Sequence, residues 1–146
     1  MDVVKSVFET NLPTRITAMN TEKGDTLLPA FDPDSLYLYR LPGQDVMPNY
    51  PISFLLWFDN PEVRAIKTNS ADVWNLFFDV IVNLTGDEKG DRKAVRYHKI
   101  VKDIVNKDLR HDFTVVENKG ANFSTGSDSN CNLFQIVSTN FIITNV

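Results

Sequence analysis

Asp112, Glu117 and Lys119 are the residues whose types and spacing come nearest to catalytic chemistry. Glu117-Asn118-Lys119 follows the strand-like run Phe113-Thr114-Val115-Val116. In metal-dependent nucleases, carboxylates at strand ends hold Mg²⁺ and a lysine helps to position the attacking water. The match is short, and in such sites the upstream aspartate ends a different strand. A solvated strand end accounts for the same residues, because unpaired charges belong outside. His98 and His111 have no Glu or Cys at ligand spacing, and a zinc or catalytic centre needs several converging ligands. His98 reads instead as a half-buried structural histidine. Asp87-Glu88-Lys89-Gly90-Asp91 is acidic, but it misses the calcium-loop spacing of oxygens at positions 1, 3 and 5 before a glycine. It reads as a turn and helix start, with acids favoured by the helix dipole. Cys131 has no companion base, and there is no glycine-rich phosphate loop, serine elbow or CxxC pair. No catalytic residue, metal or cofactor is expected.

Composition sets the frame for these residues. The chain has 146 residues, 42% of them hydrophobic, which predicts one folded domain over 1–146 with a real core. The net charge of −4 gives no general reason to grip nucleic acid. One cysteine excludes an internal disulfide and fits a reducing folding site. The first residues carry neither a basic stretch nor a long apolar run, so no secretory leader is expected. No apolar run approaches the ~20 residues that span a bilayer.

The elements that must position these residues follow from hydrophobic periodicity. Val3, Val4, Val7 and Phe8 predict a first helix ending near Thr10 or Asn11. Pro13 suits the first turn of a second short helix, which Gly24 would stop. Residues 36–41 read as a short strand. Residues 51–58 (P-I-S-F-L-L-W-F) are nearly all apolar and read as a central strand buried on both faces. Residues 72–84 alternate with period two around Trp74, Leu76, Phe78, Val80, Val82 and Leu84, as a long half-buried strand does. At ~3.3 Å per residue that strand would run roughly 43 Å. A domain of this size has a radius of gyration of about 15 Å. The strand is therefore expected to bend or overhang, and an overhang needs a partner. Trp57 and Trp74 are expected in the core. Residues 91–108 read as an amphipathic helix, with Ala94, Tyr97, Val101 and Ile104 on one stripe and Arg92, Lys93, Arg96, Lys99, Lys102 and Lys107 largely opposite. Residues 113–117 read as a short strand, 118–130 as a mobile Gly/Ser/Asn loop, and 133–144 as a second long strand. The fold class is α+β: a mixed, mostly antiparallel sheet with two N-terminal helices, and helix 91–108 packed on one face.

Leu12-Pro13-Thr14-Arg15-Ile16-Thr17-Ala18-Met19-Asn20, followed by Glu22-Lys23-Gly24-Asp25, resembles the opening of the tail-terminator proteins of tailed bacteriophages. These are also called tail-completion or neck proteins. Tyr50-Pro51-Ile52-Ser53-Phe54-Leu55 entering a buried strand is similar to them too, as is a long alternating strand followed by a turn and an amphipathic helix. The resemblance covers most of the chain as a pattern of elements. It implies a structural virion protein of the viral tail, assembled in the host cytoplasm. Such a protein forms a homohexameric ring on the last ring of the tail tube, stops tube polymerisation, and offers a docking surface to the head connector. DNA passes through the lumen without specific binding, and no membrane is involved. No catalytic residue follows from the resemblance.

Three features of the sequence agree with such a role. Long strands with open edges invite pairing between copies. The 59–71 and 118–131 segments could order as interface arms, with Asn60, Glu62, Arg64, Asn122, Phe123 and Ser127 as the expected contact residues. An acidic chain suits a conduit that must not hold DNA, and the basic helix would then lie on the outer wall or at a subunit contact. The alternatives are another neck or tail component, such as a head-completion protein or a tube subunit, a small Mg²⁺-dependent nuclease on Asp112, Glu117 and Lys119, or a host binding module.

Overall fold

A computed structural model of the chain describes residues 2–38, 51–58, 72–84, 89–113, 115–127 and 133–145. Among the described residues, two helices cover one face of a five-stranded sheet. Helix α1 spans Asp2–Lys23. A 3-10 turn at Pro33–Ser35 leads into β1 (Leu36–Leu38). Strands β2 (Ile52–Phe58) and β3 (Asp72–Asn83) follow, then α2 (Gly90–Asp103), β4 (Val115–Ser127) and β5 (Leu133–Asn145). The spatial order is β1-β2-β3-β5-β4. Only β1 and β2 run parallel; every other neighbouring pair is antiparallel. The α+β class and mixed sheet are as the periodicity predicts.

The core lies between the helices and one sheet face. Alternation places Phe54 and Leu56 of β2, Leu76, Phe78, Val80 and Val82 of β3, and Val137, Phe141 and Ile143 of β5 there, all buried. From α1, Val4, Val7, Phe8, Leu12, Ile16 and Met19 descend onto them. Phe8 stacks on Phe78, ring centroids 3.9 Å apart and 6° from parallel, and lies 6.2 Å from Phe141. Phe54 joins this cluster to Tyr97 of α2 at 5.7 Å. Burial also pushes the Tyr97 hydroxyl well above its ordinary pKa. As expected, β2 is buried on both faces, with Ser53 and Leu55 also enclosed.

Several boundaries depart from the sequence expectation. The two N-terminal helices are one: α1 runs unbroken through Pro13. Its apolar stripe continues in phase across the proline, and burying that stripe outweighs a local penalty of about 3 kcal/mol. Gly24 does end the helix, at φ 69°. Its N–H donates to Thr21 O at 3.2 Å and the Asp25 N–H to Asn20 O at 3.0 Å, which is the Schellman pattern. An alanine at Gly24 must hold a left-handed backbone. Gly24→Ala is expected to cost about 1 kcal/mol, read as a shift of the denaturant midpoint.

The second helix is α-helical only to Asp103. It continues as a wider π-type turn over Ile104–Asp108 and a 3-10 turn over Leu109–His111. The largest correction concerns residues 113–130. Over 115–127, the short strand and following loop expected there are instead one 13-residue strand, β4, paired with β5 along its length; residues 114 and 128–130 lie outside the described residues. A bulge between Asn118 and Gly120 absorbs the irregular composition. Gly120 takes φ 102° and donates its N–H to Asn118 Oδ1 at 2.8 Å. β5 acts as a template, and pairing overrides weak intrinsic propensity. The strand expected over 36–41 is described only as Leu36–Leu38; its remainder lies outside the described residues.

The two long strands lie in the interior of the described strand order and do not form its edges. β3 and β5 pair with each other from Asp72↔Asn145 to Asn83↔Phe134 and sit inside the sheet. The described pairing of β3 with β2 runs from Ile52↔Val82 to Phe58↔Leu76.

Candidate assembly interface

β4 is an edge strand, and its outer side has no partner strand among the described residues. Its residues Glu117, Lys119, Gly120, Asn122, Phe123, Ser124, Thr125 and Ser127 are exposed. Of the expected contact residues, Asn122, Phe123 and Ser127 therefore come together on one free edge, opposite Ser138, Val137 and Leu133 of β5. Asn60, Glu62 and Arg64 lie outside the described residues. Phe123 shares the helix side of the sheet with Val137, yet it keeps 46% of its surface exposed. A large aromatic half in water on a sheet edge has an unused packing face.

Two contacts brace β4 from above. The His98 ring meets Phe123 edge-on at 5.5 Å and 69°. Asn118 Nδ2 donates to Asn106 Oδ1 at 3.4 Å. His98 is thus half-buried, as its place beside the apolar stripe implies. Its role as a support for Phe123 is not legible in sequence, because the two residues meet only through tertiary packing.

The nuclease residues are arranged differently from a metal site. Glu117 and Lys119 lie inside β4 rather than at a strand end, and they pair with each other at 3.2 Å in solvent. Asp112 is exposed after the turn that follows α2. Among the described residues, no group of three or more His, Cys, Asp or Glu could hold a metal ion. Cys131 lies outside the described residues.

The basic side of α2 is partly neutralised within the chain. Arg96 forks onto Asp25 with bonds of 2.8 and 2.9 Å, and Lys99 approaches Glu22 at 4.0 Å. Arg15 of α1 grips Asp108 with bonds of 2.7 and 2.9 Å and reaches Asp103 at 3.9 Å. These bonds clasp the two helices and fix where α2 lies over the sheet. Arg92 and Lys102 remain exposed beside Val95, an apolar residue 59% exposed on the same helix.

The hydrogen bond from Arg96, aided by the Leu27 N–H, holds the Asp25 carboxyl below its ordinary value. A depressed carboxylate stabilises the folded state above the unfolded chain's carboxylate range, and that contribution disappears as pH falls through the lowered value. Thermal melts of wild type and Asp25→Asn should therefore differ at neutral pH and converge in acid. A difference that persisted in acid would show that the clasp does not depend on the ionised carboxylate.

On the face away from the helices, Trp57 stacks on Phe77 at 4.2 Å and 11°. Its Nε1 donates to Asp79 Oδ2 at 2.9 Å. Trp57 is thus half-buried on the second face, outside the main core in which it was expected. Trp74 packs against that core. No helix among the described residues is long and apolar enough to cross a membrane.

No known family model matches this chain, and no curated protein matches it.

Proposed function

We propose that this chain is an architectural subunit of a bacteriophage tail. It acts as a tail terminator whose homohexameric ring caps the tail tube, stops its polymerisation and presents a docking surface to the head connector. The observation that carries this reading is the outer edge of β4: a 13-residue strand with no partner on its outer side among the described residues, and with Phe123 half in water. Such an edge is a template for another chain, and closed assemblies are the usual way to satisfy it without runaway aggregation. The sequence resemblance gives the assembly its identity, and the order of long strand, then amphipathic helix, then hairpin is compatible with it. The net charge of −4 suits a lumen through which DNA slides without binding.

The test is the mass of the purified protein in solution, with electron micrographs of the protein mixed with tail tubes. Rings, or monomers that cap tube ends at a fixed length, are the expected result. Long cylinders formed by the protein alone would point to a tube subunit instead. A strict monomer that ignores tubes would remove the architectural reading altogether.

A further inference from the structure

We infer that the subunits join edge to edge: residues 121–127 of β4 pair with β1 of the next copy, so that one sheet continues around the assembly. This rests on the ring reading above and specifies its interface. The sheet order leaves two outer strands, β4 and β1, neither paired on its outer side among the described residues.

The two halves of β4 differ as edges. The first half carries the Glu117–Lys119 ion pair and the bulge at Asn118/Gly120, and charge and bulges both blunt an edge against pairing. Residues 121–127 (A-N-F-S-T-G-S) carry no charge and no proline, and the bulge is already behind them. This half is left competent to pair.

Strand direction also fits. β1 runs with β2, and three successive antiparallel steps through β3, β5 and β4 leave β4 running opposite to β1. Rotation about an axis along the strands preserves direction, so β4 meets the neighbouring β1 antiparallel. That is the slightly stronger pairing geometry.

The side chains fit as well. Leu36 and Leu38 stand opposite Phe54 and Leu56, on the helix side, and Phe123 stands opposite Val137 on the same side. Edge-to-edge continuation would set Phe123 beside a leucine of the next copy, an aromatic–aliphatic cross-strand pair. Head-to-tail joining satisfies both edges of every subunit. Pairing of β4 with a second β4 would leave each β1 edge open.

The test uses the full chain carrying Cys131→Ser. Phe123→Cys is combined with Leu36→Cys in one variant and with Leu38→Cys in another, covering the two registers that keep these residues on one side. Under mild oxidation, one of the double variants should yield a ladder of linked chains ending at the ring, with no ladder from any single-cysteine variant. Phe123→Lys should abolish assembly while leaving a subunit that still melts cooperatively, lowered only by the loss of the His98 contact. Linked dimers from Phe123→Cys alone would show β4–β4 pairing and overturn the inference. Rings that form normally with Phe123→Lys and cross-link in neither double variant would overturn it too, while leaving the ring reading standing. Absence of any assembly by the wild type, alone or on tubes, would remove both.

Discussion

Phe8→Ala is expected to cost about 3–5 kcal/mol, the range for truncating a fully buried aromatic. Phe8 is wholly buried, stacks on Phe78 and touches the Phe141 ring, so it joins α1 to the two central strands at once. Its removal opens a cavity between a helix and a sheet, and neither can close it without moving along its whole length. A single domain has roughly 5–15 kcal/mol of total stability, so this one change removes a large share of it. Urea titration should show a lower midpoint with an unchanged slope. Phe8→Leu should lose much less, on the order of 1–2 kcal/mol, because most of the volume is kept. A loss under about 1 kcal/mol for the alanine variant would mean that α1 is not docked on the sheet as described.

Pro13→Ala is expected to act in the opposite direction, with a gain of about 1–2 kcal/mol. Pro13 sits exposed in the interior of α1. There it cannot donate to the Glu9 carbonyl, and its ring crowds that carbonyl; the general penalty is about 3 kcal/mol. Part of it is offset because proline also restricts the unfolded chain, by ~0.4–1 kcal/mol. Alanine restores the bond and the preferred geometry on the solvent side, away from Leu12 and Ile16, which face the core. The sign is diagnostic. A proline at the first turn of a separate second helix would be well placed, and replacing it would be neutral or harmful. A stabilised Pro13→Ala variant with increased far-ultraviolet helix signal therefore supports the single continuous helix, and a destabilised one refutes it.

The strength and phase of hydrophobic periodicity decided which elements could be read from sequence. β2, β3, β5 and the α-helical part of α2 carry patterns that survive any packing arrangement, and their spans agree with expectation to within a few residues. Gly24 was legible because a left-handed helix stop has a strong residue preference. Pro13 misled because a local breaker rule competes with a stripe of buried residues whose partners are distant in sequence. β4 was half missed because Gly, Ser and Asn have loop propensities, and its strand state comes from pairing with β5. Of the candidate interface, Asn122, Phe123 and Ser127 were legible as exposed residues of a polar segment. That they share one sheet edge braced by His98 was not.

Alternation and composition alone determined that this chain builds an α+β domain around long amphipathic strands, because side-chain period and net burial are properties of the local sequence. Only the tertiary structure decided which strands lie inside the sheet and which two, β1 and β4, are left at its borders. The lengths of β3 and β5 said that each needed neighbours, but they pair with each other and with β2 and β4, which leaves β1 and β4 as the outer strands of the described sheet. Strand order is a choice among long-range hydrogen-bond partners, and nothing in a strand's own residues specifies which partner takes it.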